Sequence, residues 1–187
     1  MRETFVEVGI IIKAVRNGEY DARLAIFTGK GLQWRTIKGI YRPKAKFAAS
    51  SGLFTVAEFT ISGQAIIGIN VLVTPYTLAK DINRYYMACS FADALLRLDF
   101  VEQAPQALIC AVNTYTALAT TEQSCYLAFL DFYGEILEIL GYNIELEFDR
   151  AKLTHSTAKQ LVQKLIIAYR NYVDYEIQFC EKLYLDH

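Results

Sequence analysis

Between positions 38 and 46 the chain reads Lys-Gly-Ile-Tyr-Arg-Pro-Lys-Ala-Lys, so that Lys38, Arg42, Lys44 and Lys46 place four cations within nine residues around one tyrosine. Cations that close together suit contact with a run of phosphates, and Tyr41 beside them could stack on a base. Pro43 fixes its own φ and biases Arg42 away from the helical region, and Gly39 permits a tight exit from whatever precedes it, so the stretch reads as a shaped loop. Other chemistries find less support. Gly29-Lys30-Gly31 lacks the third glycine and following helix of a dinucleotide fingerprint, and no Gly-Lys-Ser or Gly-Lys-Thr occurs. The carboxylates Glu135 and Glu138, or Glu145, Glu147 and Asp149, could meet a cation, but they lack the spacing of a calcium loop and read as solvated acid. The four cysteines, Cys89, Cys110, Cys125 and Cys180, have no Cys-x-x-Cys pair and sit in apolar patterns as reduced core residues do. With His155 and His187 the only histidines, no zinc site, cofactor or catalytic nucleophile is expected, and the protein is expected to fold without zinc.

The elements around the loop change period along the chain. Phe5–Val15 is rich in Val and Ile and alternates Phe5, Glu7 and Gly9 against Val6, Val8 and Ile10, which predicts a strand. Asn17-Gly18 signals a turn into a second strand, Ala22–Thr28, and Gly29-Lys30-Gly31 turns into a third, Leu32–Lys38. On that third strand Leu32, Trp34 and Thr36 share one face while Gln33, Arg35 and Ile37 share the other. Trp34 is either a core plug, the favoured reading, or a stacking platform. Beyond the basic loop, Leu53–Ile61 and Ala65–Val73 complete five short strands, which predicts a small closed barrel. After Pro75 the spacing becomes helical: a first helix from Asp81, a second from about 106 to 119 opened by Pro105, a third from about 122 to 140 stopped by Gly141, and a last from about 156 to 184 with Leu161, Leu165, Ala168, Tyr172 and Tyr175 as its stripe. The third is apolar on most sides and belongs at the centre of a bundle.

The expected class is therefore α+β: an N-terminal five-stranded OB-type β-barrel, residues 1–78, followed by a C-terminal all-α helical domain, residues 79–187. No repeat or low-complexity linker separates them, so the two are expected to pack together. The overall net charge of −1 conceals a split. Residues 1–80 hold eleven Lys or Arg against five Asp or Glu, and residues 81–187 hold eight against fifteen, a net of +6 against −7. That asymmetry points to a polyanion-binding module joined to an acidic one. The N-terminus lacks the pattern of a signal peptide and no apolar run reaches spanning length, so a cytoplasmic protein is expected.

The order of signals resembles the RecO family of bacterial recombination mediators. The resemblance is carried by Gly18-Glu19-Tyr20-Asp21 before a strand ending Phe27-Thr28, by Gly31, by Lys38 to Phe47, and much later by Leu140-Gly141-Tyr142. It implies an OB fold with a helical domain, binding of single- and double-stranded DNA, strand annealing, and loading of RecA together with RecR and single-strand-binding protein, with no catalytic residue. By position, Lys38, Arg42, Lys44 and Lys46 match the family's basic DNA-binding loop. Arg23 and Arg35 are added from their proximity in the strand order. Two departures stand out. Many relatives carry a four-cysteine zinc module after the Leu-Gly-Tyr motif, whereas residues 143–150 contain no cysteine. Relatives also tend to have a basic residue before the phenylalanine of the third helix, where Leu130-Asp131 precede Phe132 here; Asp131 is expected to repel the acidic tail of single-strand-binding protein. The runner-up reading is a non-enzymatic adaptor whose barrel has lost DNA affinity and whose acidic helices bind a basic partner. An enzyme cleaving nucleic acid is a third, disfavoured by the lack of a ligand cluster.

Overall fold

A computed structural model describes residues 3–177 apart from positions 75, 101, 121–123 and 147. Five strands, β1 (Thr4–Asn17), β2 (Asp21–Thr28), β3 (Gly31–Ile37), β4 (Val56–Ser62) and β5 (Ala65–Val73), close into a barrel in the order β1-β2-β3-β5-β4. All pairings are antiparallel except β3 with β5, which meet in parallel at Thr36–Ala65 and Ile37–Ile66. Four helices follow: α1 (Ile82–Arg97), α2 (Ala104–Thr120), α3 (Cys125–Ile139) and α4 (His155–Ala168). The α+β architecture expected from the pattern is the architecture found.

Strand β1 is long because it serves two partners, pairing with β4 over residues 4–10 and with β2 over residues 9–17. Where the two pairings overlap, Gly9 lies against the β2 backbone: a Cβ there would fall 2.6 Å from Ile26 Cγ2 and 2.8 Å from the Phe27 carbonyl oxygen. Only glycine admits that approach. The inner face of the barrel buries Ile11, Ala22, Leu24, Ile26, Ile37, Ala57, Phe59, Ile61 and Ile66. Ile10, Ile12, Ala25 and Phe27 point outward instead, yet are equally buried, because the helices cover them. Phe27 meets Phe100 edge-on at 5.4 Å, and Phe54 stacks on Tyr115 at 5.5 Å. Barrel and bundle thus share one apolar core.

Within the bundle, α3 is the central helix, packed by α1, α2 and α4. Its Phe132 stacks on Phe91 of α1 at 4.2 Å, and Tyr133 meets Tyr169 edge-on at 5.1 Å. Buried tyrosines require partners for their hydroxyls. Tyr115 donates to the Ala88 carbonyl, Tyr133 to that of Ser90 and Tyr169 to that of Tyr133. Asp81 caps α1 by accepting from the amides of Asn83 and Arg84, and Gly141, at φ 89°, closes α3 with the two reversed amide bonds of a Schellman turn. The expected start of the third helix near Glu122 lies outside the described residues; Ser124 caps the helix observed.

The last helix is shorter than its periodicity suggested. It passes into a π turn at Tyr169–Val173 and stops at Asp174, whose left-handed φ of 52° reverses the chain, so residues 174–177 are not helical. The reason is tertiary: the reversal buries Tyr175, whose hydroxyl donates to Asp93 of α1 at 2.9 Å. Tyr172, expected in the buried stripe, is instead 58% exposed and stacks on Tyr142.

Burial holds the Cys110 thiol and the hydroxyls of Tyr115, Tyr169 and Tyr175 above their ordinary values. The unfolded chain ionises these groups first, from about pH 8.5 for the thiol and about pH 10 for the phenols, so stability is complete below that window and falls as pH rises through it. Urea unfolding is expected to show a midpoint that is level near neutrality and declines steadily between about pH 9 and about pH 11. A midpoint that stays flat over that range would show that these groups are not sealed from solvent.

Candidate nucleic-acid interface

The basic loop leaves β3 at Ile37 and is fastened to the β1–β2 hairpin before its cations begin to project. Gly39, at φ 66°, turns its amide to donate to Asp21 Oδ1 at 2.7 Å, and the Tyr41 amide donates to the Tyr20 carbonyl at 3.0 Å. Ile40, only 8% exposed, plugs the end of the barrel core. Successive turns follow, with amide bonds from Arg42 to Gly39 and from Ala45 to Arg42, and Lys44 takes a left-handed φ of 60°. Lys38, Tyr41, Arg42, Lys44 and Lys46 are all exposed.

Two residues of the hairpin join this cluster, and sequence reasoning did not single out either. The Arg16 guanidinium lies over the Tyr41 ring, 5.3 Å from its centroid, and the Arg42 guanidinium lies over the Tyr20 ring at the same distance. Each loop supplies one cation and one ring to the other. Arg16 is held in addition by donation from Nη2 to the Glu19 carbonyl at 2.9 Å. The Tyr20 hydroxyl is held above its ordinary value, chiefly by its hydrogen bond to Glu19, with the Arg42 charge pulling the other way, so the ring stays neutral near pH 7. Among the described residues none of the ion pairs involves Arg16, Lys38, Arg42, Lys44 or Lys46. Lys46 rests its ammonium over Phe47, 5.1 Å from the ring centroid. The arrangement offers unpaired cations and exposed aromatic faces side by side, which is equipment for binding a polyanion that carries flat bases.

Arg23 and Arg35, the remaining candidates, are not brought into this cluster. Arg23 lies on the outer face of β2 with its guanidinium over Trp34 at 5.4 Å. Trp34 itself is half-buried and packs against the core shared with the helices, so it is partly a core residue and carries a cation on its ring. Arg35 turns inward with Gln33 and Ile37. It donates to Gln64 at 2.9 Å and to Gln33, sits 6.0 Å from the Phe5 ring, and is engaged at the β4–β5 turn rather than at the basic loop.

The carboxylates fall elsewhere. Asp131 of α3 accepts two bonds from the Arg150 guanidinium, at 2.6 and 3.2 Å, so its charge is compensated where the sequence suggested a bare anion. Among the described residues no group of three or more His, Cys, Asp and Glu gathers to hold a metal ion; Glu147, Cys180 and His187 lie outside them. No helix among the described residues is long and apolar enough to cross a membrane.

No family model matches the chain. It is 29% identical over 140 residues to the DNA repair protein RecO of Acetivibrio thermocellus, an alignment that covers 72% of this chain and 56% of that protein. Over that span the chain is distantly similar to RecO. It thus matches little more than half the length of that relative, and the likeness agrees with the one carried by Gly18 to Asp21 and by Lys38 to Phe47.

The fastening of the loop can be tested on its own. Asp21→Ala removes the acceptor of the Gly39 amide and is expected to cost about 1 kcal/mol of stability. In hydrogen exchange the Gly39 and Tyr41 amides should lose protection well beyond that global change, while Phe27 and Phe59 in the barrel follow it. Unchanged protection at Gly39 would mean that Ile40 alone holds the loop.

Proposed function

We propose that this chain binds DNA through its phosphates at the basic loop and acts, without a catalytic step, as a recombination mediator in DNA repair. In that role it binds single- and double-stranded DNA, promotes annealing, and helps load RecA together with RecR and single-strand-binding protein. The division into a DNA-binding unit, residues 1–78, and a helical unit, residues 79–187, belongs to the same reading. The observation that carries it is the set of exposed cations, Arg16, Lys38, Arg42, Lys44 and Lys46, that make no ion pair among the described residues and surround two exposed rings. The likeness to RecO supplies the biological context. For the acidic tail of single-strand-binding protein, the Arg150 pairing removes the repulsion that Asp131 alone would exert.

Contact through phosphates does not read sequence, since the cluster lies on loops and presents no recognition helix to a groove. Affinity is therefore expected to fall with salt, with a slope of log affinity against log salt of roughly −2 to −3 on single strands if three or four cations each release counterions. Fluorescence anisotropy with a labelled oligonucleotide measures this directly. The triple reversal Arg42→Glu, Lys44→Glu and Lys46→Glu should abolish most binding while leaving the circular dichroism unchanged, because all three side chains are solvated. A triple variant that binds like the parent, with the same slope, would transfer the function to the acidic helices and favour the adaptor reading.

A further inference from the structure

The crossed pairing of the two loops bears on which form of DNA the surface prefers. This inference rests on the reading that the basic loop binds DNA. Tyr20 is 39% exposed and Tyr41 is 47% exposed, and a guanidinium lies over each ring. A guanidinium held over a ring still has N–H donors for a phosphate oxygen, and on Arg16 the donors other than Nη2, which reaches the Glu19 carbonyl, can serve. Each ring is also partly exposed, which leaves surface on which a base can stack. Each Arg–Tyr pair therefore carries one group for the backbone and one for the base of a nucleotide. The backbone bond from Tyr41 to Tyr20 and the bond from Gly39 to Asp21 keep the two pairs side by side.

We infer that Tyr20 on the β1–β2 hairpin is a second base-stacking platform beside Tyr41, and that together the two rings make this interface selective for unpaired over duplex DNA. The lysines of the loop cannot provide such selectivity, because a phosphate contact is available on either form and duplex DNA has the higher charge density. A ring face can, because every internal base of a duplex is already stacked on both sides. Stacking on an aromatic side chain is worth about 5-fold to about 150-fold in affinity per base, and only an unpaired base can supply it.

The test compares three probes at one salt concentration by anisotropy: a labelled oligothymidine, a blunt duplex of equal length, and an abasic strand of that length. Tyr20→Ala is expected to weaken oligothymidine binding about fivefold or more while duplex affinity changes less than about twofold. Tyr20→Phe keeps the ring and should bind like the parent. The abasic strand should bind the parent and Tyr20→Ala alike, a comparison that also guards against a folding defect in the variant. Equal losses on strand and duplex would overturn the inference, since the ring would then only be placing Arg42. No loss on either would overturn it too, while leaving the phosphate reading intact if the parent shows the expected salt slope. A parent with no salt-dependent affinity for DNA would overturn both.

Discussion

One irregularity in β1 determines how the barrel meets its surroundings. Between Ile11 and Lys13 the register against β2 slips by one residue, a β-bulge centred on Ile12. Before the slip, even-numbered residues face outward, and Ile10 and Ile12 go to the core shared with the helices. After it the parity reverses: Lys13 stands opposite Ala25 on the outer face, while Arg16 stands opposite Ala22 on the inner one. A strand without the bulge would turn Arg16 away from the basic loop. The same point receives the far end of that loop, since Ile11 exchanges backbone bonds with Phe54 and Thr55, at 2.7 and 3.1 Å. Helix packing, return of the loop and placement of the hairpin cation thus depend on a single extra residue.

The electrostatics follow from where the two charge populations are placed. Among the described residues the cations of the basic loop form no ion pair, whereas several cations of the helical half are paired: Arg84 with Asp81, Arg97 with Asp93, Arg150 with Asp131 and Arg170 with Glu176. Exposed pairs of this kind add little stability. Each cancels one charge of either sign, so the helical half keeps the net of −7 set by its excess of carboxylates, beside the +6 of the first eighty residues. A polyanion approaching this molecule is attracted to the barrel and repelled by the bundle.

Much of this was legible in the sequence because the strands alternate over most of their length and each hairpin carries turn residues at its tip. The strand alternation even contained the answer for Arg35: it shares a face with Ile37, and a buried isoleucine at the barrel end means that the arginine points inward too. Proximity in strand order was the weaker guide. Arg16 and Tyr20 were not singled out because the register slip leaves no mark in the local pattern; only the hairpin motif Gly18-Glu19-Tyr20-Asp21 hinted that the tip has a role. The end of the last helix was hidden for a different reason. Helical spacing continues through Tyr172 and Tyr175, and the reversal at Asp174 is set by the distant Asp93.

The central claim is that hairpin tip and basic loop form one DNA-binding surface. Photocross-linking tests it most directly: an oligonucleotide carrying iododeoxyuridine, irradiated on the protein and mapped by mass spectrometry, reports which side chains touch bases. The account predicts adducts at Tyr20 and Tyr41 that disappear in high salt. Adducts confined to the helical residues 82–173, with the hairpin and loop peptides unmodified, would contradict it.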